Sequence, residues 1–301
     1  MIETLRLADW FHPDGFPIAV EPCNPQPPVG LHDHEFAEIV VITGGHGRHV
    51  TGKDAWTIRA GDAFVIAGRR PHMYEDIEGL ALYNVLFQPD RVLGNASDLV
   101  GVPGYRALFT LEPVWRTTHE FKSRLHLSRQ DLTTVTLLIQ QLEKELQARQ
   151  TGFRCMATSL FMQLVCGLSR CYEQSEHPDS ASLLRIAAAI SELETNYQEA
   201  IDLEKLASIA GTTKRSLLRA FEKALGVSPI AYLIHVRISR ACEYLVNRDD
   251  LSITEIAFQV GFEDSNYFAR QFHAITGTTP SAFRRQQIKL PPLPRKQPRD
   301  Y

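Results

Sequence analysis

Four residues in the first quarter of the chain carry the donor types of a metal or sugar site: His32, His34, Glu38 and His72. In "LHDHEFAEIVVITGG" (residues 31–45) the histidines are two apart and Glu38 follows four later. Strand alternation then puts all three on one face, the inner one if Ile39 and Val41 face outward. His72 closes a second segment, "GDAFVIAGRRPH". Three imidazoles and a carboxylate could hold Mn, Fe, Ni or Zn. With Tyr74 and Asn84 they also form the convergent polar set that binds a small ligand, with Trp56, Phe64 or Tyr83 as its stacking floor. A third reading is that these side chains satisfy one another, as buried polar groups must. The ligand pocket is the preferred reading of the three. His46 and His49, in a Gly-rich run, are expected at the surface.

The elements that must position these residues are strands. "EIVVITGG", "GRHVTG", "AWTIRAGDAFVIAG" and "LALYNVLF" are rich in Val, Ile and aromatics and broken by Gly, which predicts an antiparallel barrel or sandwich over about residues 16–90. From Ser128 the period changes. Leu132, Val135, Ile139, Leu142 and Leu146 recur at three- and four-residue spacing and fall on one helix face. A second helix, about 152–172, follows. The narrow seam suits packing on another helix, from a second subunit or from the chain's own sheet domain. "EQSEHPDSAS" (173–182) reads as a linker, and "LPPLPRKQPRDY" as a flexible tail. The predicted organisation is a sensor domain over 1–127, a helical dimerisation segment over 128–172, a linker over 173–182, a helical domain over 183–287 and a tail over 288–301.

The helical part contains a repeat. "LASIAGTTKRSLLRAFEKALGVSP" aligns with "IAFQVGFEDSNYFARQFHAITGTTP": Leu206 with Ile256, Gly211 with Gly261, Phe221 with Phe272 and Pro229 with Pro280. Each copy reads as helix, Gly turn, helix, with caps at Asp202, Thr212 or Thr213, Ser228, Ser252 and Asp264. On the second helix of the first copy, Leu218 and Phe221 can face inward. Lys214, Arg215 and Arg219 stay polar, and the two arginines lie one turn apart on one stripe. That stripe suits guanine edges or phosphates. In the second copy Asp264, Ser265 and Asn266 can meet base edges and Arg270 a phosphate, although Asp264 serves equally well as a cap. Two such helices joined by one long helix would meet successive major-groove faces roughly 34 Å apart.

Composition narrows the function classes. Of the 301 residues, 44% are hydrophobic and 22% charged, as in an ordinary soluble protein. No apolar run of the ~18 residues needed for a membrane span is present, and the N-terminus lacks a signal-peptide core, so a cytoplasmic location without membrane partners is expected. The cysteines, Cys23, Cys155, Cys166, Cys171 and Cys242, are odd in number and contain no CxxC pair; they read as idle thiols. Residues 181–301 carry 16 Lys and Arg against 13 Asp and Glu, whereas residues 1–180 carry 16 against 22. Nucleic-acid binding, if present, therefore belongs to the C-terminal part. No catalytic triad or phosphate loop is present.

"GFEDSNYFARQFHAITGTTPSAFRR", with the repeat unit before it, resembles the signature of the AraC/XylS transcription regulators over about 183–287. "FPIAV", "HDHEFAEIVVITGGHGRHV" and "LYNVLFQPDRV" are similar to the cupin-type sensor of that family's rhamnose-responsive members. The resemblance implies an α+β multidomain chain: a cupin-like β-barrel, dimerisation helices, and an all-α domain with two helix-turn-helix units. It also implies a dimeric activator of a sugar-utilisation operon that binds operator DNA and a sugar inducer and contacts RNA polymerase. It places Lys214, Arg215 and Arg219 on the first recognition helix and Asp264, Ser265, Asn266 and Arg270 on the second. Cupin metalloenzymes also use HxH, Glu and a later His, but this chain has Ala67 and Arg69 where they usually have Pro and Gly. The rival reading is thus a metal-dependent cupin enzyme with a helical regulatory tail; the expectation is a regulator, not an enzyme, with no certain cofactor and a divalent metal as the alternative use of the pocket.

Overall fold

The computed structural model describes residues 2–52, 54–93, 99–115, 125–175 and 177–286. The predicted tail, 288–301, lies outside them. The chain divides into two compact units between Ala187 and Ala188.

The first unit is built on an eight-stranded sheet. Its strands are β1 (Glu3–Leu5), β2 (Ile18–Cys23), β3 (His32–His34), β4 (Ala37–Thr51), β5 (Asp54–Arg59), β6 (Asp62–Ile66), β7 (His72–Phe87) and β8 (Leu125–His126). They run in the order β1-β3-β7-β4-β6-β8, with β2 also on β7 and β5 on β4. Directly paired residues share a face. Glu38 pairs with Leu86 and Ile66, and Val40 with Asn84 and Phe64. Val40, Ile42, Ile58, Phe64, Ile66, Tyr74 and Leu82 accordingly form one buried cluster. Ile39 and Val41 point to the opposite face, as the alternation requires, but they are buried too.

That opposite face is covered by helices. Short turns α1 (Leu7–Trp10) and α2 (Pro89–Val92) precede a helical stretch of α3 (Pro103–Tyr105), a π-helical turn (Arg106–Leu111) and α4 (Glu112–Trp115). Then come α5 (Arg129–Ala148) and α6 (Phe153–Glu173). Ser128 caps α5 by accepting from the Asp131 N–H. Val135, Ile139 and Leu142 of the seam are buried within the single chain. Phe161 of α6 meets Phe87 of β7 at 5.2 Å between ring centroids, and Gln140 of α5 donates to the Tyr83 hydroxyl at 3.2 Å.

The segment read as a linker is partly helical: residues 178–182 belong to α7 (Pro178–Thr195), within which the two units divide. The first turn of a helix need show no apolar period, so composition alone reads these residues as loop.

The second unit contains α8 (Leu203–Ile209), α9 (Lys214–Leu225), α10 (Pro229–Asn247), α11 (Ile253–Gln259), α12 (Ser265–Thr276) and α13 (Pro280–Gln286). The caps are those the residue types demand. Asp202 accepts from the Glu204 and Lys205 N–H groups, Thr213 from Ser216, Ser228 from Ala231 and Asp264 from Tyr267. Ser252 and Glu255 close a reciprocal capping box. Gly211 and Gly261 turn α8 into α9 and α11 into α12 at φ +57° and +92°, values that side-chain-bearing residues rarely adopt. Inside, Ile238, Cys242, Ile256, Phe268, Phe272 and Phe283 form one core, each fully buried apolar side chain contributing roughly 1.5–3 kcal/mol. Phe221 packs inward as expected; its neighbour Leu217 is buried and Leu218 only half-buried.

Candidate functional site

The sheet domain brings the predicted polar residues together. His32 and His34 alternate across Asp33 on β3, and His32 pairs directly with His72 at the start of β7. His32, His34, Glu38 and His72 are all buried. The Nε2 atom of His34 lies 3.2 Å and that of His72 3.8 Å from Glu38 Oε2. The His32 and His72 rings are 4.3 Å apart between centroids, and those of His34 and His72 5.2 Å. Each histidine is oriented from behind by a carbonyl two residues away: His32 Nδ1 by Gly30 (2.8 Å), His34 Nδ1 by Phe36 (2.5 Å) and His72 Nδ1 by Arg70 (3.0 Å). A carbonyl only accepts, so Nδ1 carries a proton in each ring, and in the neutral form of the ring Nε2 is the lone pair that faces the interior.

Burial dominates the electrostatics. It pushes the His72 imidazole down to about 4, against the opposing pull of Glu38. Burial also pushes Glu38 up, but the adjoining His34 ring, then His72 and His32, outweigh it and leave its carboxyl below the usual range. The Tyr74 hydroxyl is pushed well above its ordinary value by burial, reinforced by the Glu38 and Cys23 charges. Among the described residues, Tyr74 Oη and Asn84 Oδ1 are buried without a hydrogen-bond partner. Such orphaned polar atoms cost about 1–3 kcal/mol each unless a ligand or water meets them.

Two expectations need correction. His46 is exposed, beside Glu78 at 3.2 Å, but His49 is 2% exposed. Its ring lies 4.7 Å from Trp56, 5.0 Å from Phe64, 5.5 Å from His72 and 5.3 Å from Tyr74. It therefore belongs to the buried polar cluster, and its register opposite Trp56 and Tyr74 is the signal that could have found it. Tyr83 is the converse case. It pairs with Val41, on the face opposite the histidines, and its hydroxyl is taken by Gln140. It cannot form the floor of that site, whereas Trp56 and Phe64 stand around His49.

The helical unit presents the second candidate surface. Lys214, Arg215 and Arg219 of α9 are exposed, as are Asp264, Asn266 and Arg270 at α12, with Ser265 half-buried. Lys214 sits 3.5 Å from Glu204, while Arg215 and Arg219 form no ion pair among the described residues. Arg270 lies over the Tyr267 ring, 5.8 Å from its centroid. Asp264 is engaged as the cap of α12.

Comparison with known proteins bears on both units. Residues 17–165 match the AraC-like ligand binding domain, and residues 206–286 match a helix-turn-helix domain. Similar chains include the HTH-type transcriptional activator RhaR of Cronobacter sakazakii, 32% identical over 94% of this chain and 96% of that one. The RhaR of Escherichia coli K12 is 31% identical over 94% of this chain and 98% of its own. The chain belongs to the AraC family of transcriptional regulators. Among solved structures, a probable AraC family regulator from Rhodopseudomonas palustris is 27% identical, covering 34% of this chain and 95% of its own, at a TM-score of 0.33. The family assignment makes the sheet-rich unit a ligand-binding domain and the helical unit a DNA-binding one, and the relatives named are regulators rather than enzymes. Among the described residues, no helix is long and apolar enough to cross a membrane.

Proposed function

We propose that this AraC-family chain is a cytoplasmic, sugar-responsive activator of a sugar-utilisation operon, with L-rhamnose or a related sugar as inducer, and that it is not an enzyme. The observation that carries the reading is the exposed Arg215/Arg219 stripe on α9, which forms no ion pair among the described residues, in a chain similar to RhaR activators over nearly its whole length. In this account residues 1–127 form a cupin-type barrel. Its interior, with His32, His34, Glu38, His72, Tyr74 and Asn84, takes the sugar; the orphaned Tyr74 and Asn84 oxygens support that assignment. Residues 128–172 serve homodimerisation, in keeping with the exposed Leu137 and Met156 on α5 and α6. Residues 183–287 read DNA through two helix-turn-helix units, with Lys214, Arg215 and Arg219 on one and Asp264, Ser265, Asn266 and Arg270 on the other. RNA polymerase is the partner through which the bound dimer activates.

The test is fluorescence anisotropy on DNA flanking the gene, at fixed salt, with and without L-rhamnose. Arg219→Ala is expected to weaken specific binding by about 1–3 kcal/mol, roughly 5- to 150-fold in Kd, while leaving the sugar-induced change in melting temperature intact. Unchanged affinity in both Arg215→Ala and Arg219→Ala would remove α9 as a reading helix.

A further inference from the structure

We propose that His34, Glu38 and His72 hold a divalent first-row transition-metal ion on the buried face of the sheet domain. One donor atom from each lies within 4.8 Å of the other two, and all three residues are buried. The argument rests on where their lone pairs point. The carbonyls of Phe36 and Arg70 hold the protons of His34 and His72 on Nδ1. With both rings neutral their Nε2 atoms are acceptors, and they meet a third acceptor, Glu38 Oε2, at 3.2 and 3.8 Å.

Three acceptors converging in a dry space repel one another. His34 Nε2 is 3.2 Å from the carboxylate, yet it is among the buried atoms without a hydrogen-bond partner. One proton could relieve one of these contacts; a cation relieves all three. An imidazole that gives its far N–H to a backbone carbonyl and turns its other nitrogen inward is also the form in which histidine ligates metals.

The donor types select the ion. Two imidazole nitrogens and one carboxylate suit Zn, Fe, Co, Ni or Mn rather than Ca or Mg, which take oxygen donors. Three protein ligands leave coordination positions open. His32 stands beside them, its ring 4.3 Å from His72 and its Nδ1 held by Gly30, but it is not one of the three whose donor atoms converge. The same side chains line the proposed sugar pocket, so an ion there would share that pocket with an inducer, but the ion needs no inducer in order to bind.

The test uses the full, untagged chain purified without chelators. Elemental analysis is expected to find about one transition-metal ion per chain. Stripping with EDTA should lower the melting temperature, and adding zinc should restore it. Cobalt(II) added to the stripped chain should give visible ligand-field bands at one equivalent. His34→Gln and Glu38→Gln, with helical and sheet content checked by circular dichroism, should lose both the metal and the cobalt bands. The proposal is overturned if the wild-type chain contains no stoichiometric metal and gives no cobalt bands. It is equally overturned if a folded His34→Gln/His72→Gln chain binds cobalt with wild-type affinity and spectrum. A sugar-induced melting shift in the stripped chain reports on the inducer reading separately.

Discussion

Gly211 and Gly261 occupy the same place in the two repeats, yet the structure predicts very different costs for replacing them. Both are left-handed, at φ +57° and +92°, and an alanine held in that region costs about 1–2 kcal/mol. A Cβ on Gly211 would meet nothing within 4 Å. On Gly261 it would lie 2.6 Å from the Gln198 carbonyl oxygen, 2.8 Å from Gln198 Cα and 3.0 Å from Arg237 Cζ. Those atoms cannot withdraw easily. Arg237 donates to the carbonyls of Tyr197 and Glu199, both at 2.6 Å, and so pins the chain on either side of Gln198. Overpacking of this kind adds about 1–3 kcal/mol. Gly261→Ala should therefore cost roughly 2–5 kcal/mol and Gly211→Ala only the strain. At about 4–8 °C of melting temperature per kcal/mol for a domain near 100 residues, the difference is easily measured. The chain supplies its own control: Trp10, Trp56 and Trp115 are its only tryptophans, all before residue 188. Tryptophan fluorescence follows the sheet unit alone, while far-UV circular dichroism also follows the helical unit. The expected result is a lowered helical transition, far larger for Gly261→Ala, with the fluorescence transition unmoved. Equal shifts in the two variants would refute the packing argument.

Asp264 is both a cap and a candidate base contact, and substitution separates the roles. Asp264→Ala should cost about 1 kcal/mol of stability, Asp264→Ser should recover it, and operator affinity of the serine variant should match wild type; a tenfold loss there would make Asp264 a reading residue. Tyr74→Phe should weaken the sugar-induced melting shift, whereas Tyr83→Phe, on the other face of β7, should leave it unchanged. Cys155 is exposed, while burial pushes Cys23 up to about 11 and Cys242 up to about 12. A disulfide dye at neutral pH should label Cys155 in the native chain and reach Cys23 and Cys242 only on unfolding.

What the sequence reveals follows from how local each signal is. The caps at Asp202, Thr213, Ser228, Ser252 and Asp264 and the turns at Gly211 and Gly261 depend on a few neighbouring residues, so the repeat reads directly. The shared face of His32, His34 and Glu38 follows from strand alternation across short distances. His49 escapes that logic because the β4–β7 register shifts between Ile42 and Gly44, Gly44 and His46, and His46 and Arg48; each irregularity resets the parity that counting relies on. Tyr83 escapes it for another reason. Both faces of β7 are covered, one by the polar cluster and one by α5 and α6, so no polar–apolar alternation marks which way a residue points. The place of His72 beside Glu38 is legible in the sequence only as a matter of residue type, because it depends on the long-range pairing of β3 with β7 that sets His72 against His32.

The most direct test is a nuclease footprint of the purified chain on the DNA flanking its own gene, with and without L-rhamnose at fixed salt. The account predicts protected segments about one helical turn, roughly 34 Å, apart, deepened by the sugar and lost in the Arg215→Ala/Arg219→Ala chain. A folded protein that protects no segment under either condition would contradict it.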